Sequence, residues 1–172
     1  FKPTVRFDGT NDILRSDVAS TLLNAAAGCT FIAVTVPRNV AVASQQVVVQ
    51  ISEGATIQNN RASLGQNVTN QGSVYVQERV VDGGATVNQI SVAAKVANNT
   101  PAIQTGRLSM TGEHKASMWV NGVAASTEAD IGVTDGPFSA TNSLRNTVGA
   151  GPATTPALYF QGDHYELLVY NE

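Results

Sequence analysis

Charge is what this sequence has least of. Asp, Glu, Lys and Arg together make up 13% of 172 residues, against ~25% in an average soluble domain. Disordered chains are rich in charge and poor in branched apolar residues, so this composition excludes disorder. Lys and Arg occur singly and never as a run, and the net charge is −3. A nucleic-acid binder would instead show a basic face, so no nucleic-acid partner is expected. The one cysteine, Cys29, excludes an internal disulfide and a thiolate zinc cluster. No apolar stretch approaches the roughly 18 residues that a membrane-crossing helix needs, and no membrane insertion is expected. There is also no initiator Met and no signal sequence: the chain opens at Phe1 and stops at Asn171-Glu172, directly after an apolar run. Both ends read as cut. The expectation is a single domain, residues 1–172, processed out of or belonging to a larger protein.

What is present is apolar and alternating. Hydrophobic residues make up 42% of the chain, enough for a real core, and their period is overwhelmingly two. Thr30–Pro37 is a β-branched strand stopped by a proline that cannot donate to a ladder. In Ser73–Arg79, Val74 and Val76 fall on one face and Tyr75 and Gln77 on the other. Further strands are expected at Val5–Asp8, Gln45–Ile51, Val87–Ala93, Ala102–Ser109, Lys115–Val120, Leu144–Val148 and Tyr165–Tyr170, with turns at Asp8-Gly9, Asp82-Gly83-Gly84, Asn121-Gly122 and Gly149-Ala150-Gly151. One segment reads as a short helix, capped by Ser16 and ended by Gly28. Ala124–Ser143 reads as a surface loop. The pattern specifies an all-β protein: a two-sheet antiparallel β-sandwich with at most one or two short helices. Phe7, Phe31, Val34, Val48, Val74, Val120, Leu167 and Val169 are expected in its core, and the first and last strands in the same sandwich.

Four short motifs appear in order along nearly the whole chain. Phe7-Asp8-Gly9-Thr10-Asn11-Asp12 resembles an "FDGxxD" opening, and Thr30–Pro37 an "FTxxxxVxP" strand. Met118-Trp119-Val120-Asn121-Gly122 resembles an "lyvNG" hairpin, and Tyr159–Asn171 a closing "fxGdiaEllvYn" signature. Together they are similar to the concanavalin A-like, laminin-G-type jelly rolls found in bacterial surface and bacteriophage structural proteins. The resemblance implies the jelly-roll form of the sandwich, with Cys29 as a small buried hydrophobe. It does not imply a function, because sites are grafted onto such a scaffold independently. Calcium-binding members need clustered oxygens around the cation. Asp8, Asp12, Asp130, Asp135 and Asp163 are available, but they form no recognisable ligand loop, and no cofactor is expected.

No catalytic arrangement stands out. Glycoside hydrolases need two carboxyl groups facing each other. Glu128-Ala129-Asp130 lacks the third acid of the "ExDxE" pattern of related glucanases and reads as solvated loop acids. Asp8, Asp12, Asp82, Asp135 and Asp163 read as turn acids bonded to the local backbone, and Glu166 as a hydrogen-bonding anchor at the start of the last strand. His114 and His164 are the only histidines. No nucleophile elbow accompanies them, and His164 reads as a half-buried, hydrogen-bonded residue. Asn67-Val68-Thr69 and Asn98-Asn99-Thr100 fit glycosylation sequons. A non-enzyme is expected.

Trp119 has the most pointed functional reading. In its strand Ala116, Met118 and Val120 point to the core, while Ser117, Trp119 and Asn121 point outward as candidate ligand-binding residues. An outward tryptophan is a platform for a sugar ring or a partner side chain; the alternative is that the 124–143 loop covers it as a satellite core. Two functions follow as expectations. One is a recognition or adhesion module binding a glycan or another cell-surface ligand, as an appended domain of an extracellular or virion protein. The other is a structural bacteriophage virion domain mediating protein–protein assembly with neighbouring virion proteins, with homo-oligomerisation open through its edge strands.

Overall fold

The computed structural model describes residues 4–16, 22–23, 26–41, 44–52, 61–66, 72–79, 88–109, 115–125, 129–130, 145–151 and 158–172. Thirteen strands run through them in chain order: β1 (Val5–Asp8), β2 (Leu14–Arg15), β3 (Gly28–Pro37), β4 (Gln46–Ser52), β5 (Arg61–Gln66), β6 (Val74–Arg79), β7 (Asn88–Val92), β8 (Ala102–Ser109), β9 (Lys115–Val120), β10 (Val123–Ala124), β11 (Ala129–Asp130), β12 (Arg145–Val148) and β13 (Gln161–Asn171). They form two antiparallel sheets. The seven-stranded sheet has the order β1-β13-β3-β8-β9-β10, with β11 also pairing β9; the six-stranded sheet has the order β2-β12-β4-β5-β6-β7. No helix occurs among the described residues.

Alternation decides which side chains meet between the sheets. Phe31 and Ala33 of β3, Leu108 of β8, and Ala116, Met118 and Val120 of β9 pack against Val49, Ile51, Ala62, Leu64, Val74, Val76 and Ile90 of the other sheet. Gly106 stands in register with Phe31 and Met118. A Cβ there would lie 2.9 Å from Val76 and 3.1 Å from Leu64, so side chains of the facing sheet fill the space that a side chain at this position would need. Cys29 is fully buried in this core, as a small hydrophobe would be. β1 pairs β13 directly, from Val5↔His164 to Asp8↔Gln161, which puts the first and last strands side by side.

The expected core needs one change. Phe7, Phe31, Val48, Val74 and Val120 are buried, and Leu167 and Val169 pack against them half-buried. Val34 instead faces outward, in register with Ile103 and Glu166. With Phe31 and Ala33 inside, a period of two leaves it no other side. In the segment expected to be helical, residues 17–21 and 24–25 lie outside the described residues. Leu22 and Leu23 form a turn closed by Ala26 N–H donating to Leu23 O at 3.1 Å, and Gly28 already belongs to β3. Of the expected 124–143 loop, Ala124 lies in β10, and Ala129–Asp130 is a strand paired to Ala116 and Lys115.

Candidate functional site

The outer face of the six-stranded sheet is polar and buried. Opposite Tyr75 and Gln77 of β6 stand Gly65 and Ser63 of β5. Gln50 and Ser52 of β4 then oppose Ser63 and Arg61, and Thr147 of β12 opposes Gln50. Outward residues of an antiparallel sandwich are ordinarily solvated. Here Gln50 is 1% exposed, Ser52 0% and Gln77 2%. Gln77 Nε2 donates to Ser63 Oγ at 2.7 Å and Thr147 Oγ1 to the Gln50 carbonyl at 3.4 Å, while Gln45 Nε2 reaches Gln77 Oε1 at 3.4 Å. Burial pushes the Tyr75 phenol well above its ordinary pKa, which keeps it a neutral donor, 3.4 Å from the Gln46 carbonyl. Two polar atoms on this face, Gln50 Nε2 and Ser52 Oγ, meet no hydrogen-bond partner among the described residues. Each such atom costs about 1–3 kcal/mol while it stays unmatched, and two of them on one face of a native structure call for an explanation. On the β6–β7 side, Gln45, Gln89 and Ser91 keep partial exposure, so the face is approachable from there.

Trp119 lies on the other sheet. It is the fourth residue of an outward row that runs Leu168, Ile32, Thr105, Trp119, Ala124 across five strands. It is half-buried, and Ile103, Leu168 and Tyr170 on the same outer face are 46%, 40% and 51% exposed. This outer face mixes those apolar side chains with Thr30, Thr105, Glu166 and an Arg107–Glu172 ion pair. Ser117 faces outward as its period requires but is buried, opposite Arg107.

Asn121 serves the backbone. It and Gly122 have φ of 53° and 77° between the paired Val120 and Val123, the two-residue turn that matches strand twist. Its Oδ1 accepts the Ile103 N–H at 2.9 Å. Asn121→Ala loses that bond and puts at positive φ a residue that tolerates it less well than asparagine. It should lower the unfolding free energy by about 1–2 kcal/mol in urea titration, with Asn121→Gly costing less because glycine tolerates the conformation.

The acidic candidates are engaged elsewhere. Asp8 Oδ1 accepts Thr10 N–H at 2.7 Å, and Asp12 Oδ2 accepts Asp8 N–H at 2.8 Å, as turn acids do. Asp163 is not a turn acid. It sits within β13 opposite Arg6, clamped by Arg6 Nε at 2.7 Å and Arg38 Nη2 at 2.7 Å, and these bonds hold its pKa down to about 2. Glu166 is exposed on the outer face opposite Val34. His164 is buried rather than half-buried, edge-on to Phe7, and its Nε2 meets no hydrogen-bond partner among the described residues. His114, Glu128, Asp82, Asp135 and the sequon 67–69 lie outside the described residues. At the second sequon, Asn98 Oδ1 accepts the Val40 N–H at 2.7 Å.

No protein-family model and no curated sequence matches the chain. Solved structures do. The native heptameric SAP-like pentraxin from Limulus polyphemus superposes with a TM-score of 0.69 at 14% identity, over 96% of this chain and 74% of the pentraxin. The Ruminococcus gnavus IT-sialidase CBM40 bound to alpha2,3 sialyllactose gives 0.70 at 17%, over 99% and 90%. The Streptococcus pneumoniae NanB sialidase, as its K499G mutant, gives 0.70 at 18%, and this chain spans 26% of that chain's length. Identities this low define the fold alone: a concanavalin A-like, laminin-G-like jelly roll.

Proposed function

We propose that the domain is a non-catalytic glycan-binding module of a larger extracellular or virion protein, and that it binds through the outer face of the six-stranded sheet. The observation that carries this reading is the buried polar face with Gln50 Nε2 and Ser52 Oγ unmatched. Saccharides present dense hydroxyls that both donate and accept, and Gln and Ser side chains match them pairwise. The likeness to a carbohydrate-binding module solved with sialyllactose supports the same reading. On a glycan array, the domain should bind a restricted set of saccharides. Gln89→Ala, at the half-exposed rim, should weaken that binding about tenfold, the equivalent of one lost hydrogen bond (~1.4 kcal/mol). Trp119→Ala should leave it within about twofold. The reverse pattern would move the site to Trp119, Ser117 and Asn121.

A second reading assigns the domain to assembly within a virion or surface particle. It is supported by the exposed Ile103, Leu168 and Tyr170, which share the outer face of the seven-stranded sheet with Trp119. The two readings use opposite faces and can hold together.

A further inference from the structure

We propose that the sandwich holds ordered water between its two sheets, at the end where β3 finishes and β4 begins, bound by Gln66, Gln104 and His164. The first observation is a group of polar side chains on the inward faces. Alternation puts Gln104 on the inward side of β8 with Ala102 and Leu108, and Gln66 on the inward side of β5 with Ala62 and Leu64. Thr35 follows Phe31 and Ala33 on the inward side of β3, with His164 directly opposite it, and Gln46 pairs Gln66. Thr35, Gln66 and Gln104 are fully buried and Gln46 and His164 nearly so. Packing brings the group to one place. Gly106 lies against Leu64 and Val76 across the gap, and Gln104 and Gln66 are each two residues beyond that contact. Both are displaced toward the same end, because segment 95–99 bonds the Gly72 carbonyl just before β6 and the Pro37 carbonyl at the end of β3. Phe7 of β1 packs on Gly149 after β12, and β6 packs on β8 and β9, so β4 and β5 face β13, β3 and β8. Stacked sheets are ~10 Å apart, a gap that two facing glutamine side chains span.

The second observation is that three atoms of this group, Gln66 Oε1, Gln104 Oε1 and His164 Nε2, meet no hydrogen-bond partner among the described residues. The amide nitrogens are matched. Gln66 Nε2 donates to Gln46 Oε1 at 2.8 Å, Gln104 Nε2 to Thr35 Oγ1 at 2.9 Å, and Gln46 Nε2 to the Asn39 carbonyl at 3.3 Å. That last bond fixes two orientations: Gln46 turns its oxygen to Gln66, so Gln66 answers with its NH2 and keeps its own oxygen over. Reversing the Gln104 amide only exchanges an unmatched oxygen for an unmatched NH2. Turning amides therefore does not remove the deficit. Two carbonyl oxygens need donors, and an imidazole nitrogen is satisfied by donating or accepting. Water does both, and a buried water makes about three bonds to groups of this kind. A calcium ion would need about six to eight oxygens, and no three His, Cys, Asp or Glu gather among the described residues. Asp163 is bonded to Arg6 and Arg38 instead. Water that donates to Gln66 and Gln104 and bonds His164 joins the two sheets where apolar packing ends.

A high-resolution crystal structure of the intact domain tests this. Water density should lie at hydrogen-bond distance, about 2.7–3.2 Å, from Gln66 Oε1 and Gln104 Oε1, and a water should stand at the same distance from His164 Nε2. Gln66→Met keeps the length of the side chain and removes one acceptor, and the water beside it should be lost from that variant's crystal structure. If circular dichroism shows Gln66→Met to be unfolded, Gln104→Met carries the same comparison. Direct bonds joining the three side chains with no water between them, a metal ion in the water's place, or the same water retained in the variant would overturn the assignment. None of these results bears on the glycan reading, because the three residues face the core and not the outer face of the six-stranded sheet.

Discussion

Gly149→Ala should destabilise the fold by about 2–5 kcal/mol, at the upper end enough to leave a marginal domain largely unfolded. Gly149 follows β12 with φ +83°, a conformation costing a residue with a β-carbon about 1–2 kcal/mol. The larger part is steric. A Cβ at this position would overlap the ring of Phe7, which is fully buried and meets Phe160 edge-on at 6.2 Å. The glycine cannot easily move away, because its N–H donates to Val48 O at 3.0 Å and its carbonyl accepts Phe160 N–H at 2.8 Å. Overpacking of this kind adds about 1–3 kcal/mol. Gly122→Ala is the internal control. It has a similar φ, +77°, but nothing within 4 Å of the new Cβ, so it should show the conformational cost alone. Urea unfolding of both variants separates the contributions. Equal losses would mean that Phe7 does not pack on Gly149 as described.

Acidification should weaken the domain between pH 6.5 and about 4 chiefly through His164. Burial of His164 lowers its pKa from 6.5 to about 4. Above pH 6.5 neither the folded nor the unfolded chain carries a proton there. As pH falls below 6.5 the unfolded chain binds the proton and the folded chain does not, so stability declines until the folded imidazole is protonated near pH 4. The total loss is on the order of 3 kcal/mol, about 1.36 kcal/mol for each unit of difference. Asp163 does not contribute in this window. Its pKa is already held at about 2, so its own stabilisation is lost only as pH falls below 3.8 toward 2. His164→Phe keeps a ring against Phe7 and removes the titration. Its unfolding free energy should be nearly flat from pH 6.5 to 5 where the wild type falls, and an unchanged slope there would assign the pH dependence to other groups.

Strands with a strong two-residue period were legible in the sequence. β8 and β9 run over the expected residues, and β3, β4, β6, β7 and β12 differ by one or two at their ends. β13 begins four residues earlier than its apolar run, because Gln161–His164 pair with β1 and with the end of β3. β5 was not legible at all. Arg61-Ala62-Ser63-Leu64-Gly65-Gln66 offers only two apolar residues, Ala62 and Leu64, and its other side chains are those of a loop. The reason it escapes detection is also the reason it matters: one of its faces is built for polar contacts rather than for packing or for water.

The same holds for the inward polar group. Residues 66, 104 and 164 are far apart along the chain and share no motif, but register and the packing of the sheets bring them to one end of the sandwich. Register is a property of pairing and cannot be read from one strand at a time. Trp119 was placed outward correctly, since Ala116, Met118 and Val120 fix the inward side. What alternation could not show is that Asn121 uses its side chain on the Ile103 backbone.

The most direct test of glycan binding through the six-stranded sheet is a nuclear magnetic resonance titration of the labelled domain with sialyllactose, following backbone amides and glutamine side-chain NH2 groups. Saturable shifts should concentrate on Gln50, Ser52, Ser63, Gln77, Gln89 and Ser91, with the Gln50 NH2 among the largest, and the Trp119 indole should stay still. Shifts centred on Trp119, Thr105 and Ile103, or no saturable shift at all, would contradict the assignment of ligand binding to the polar face.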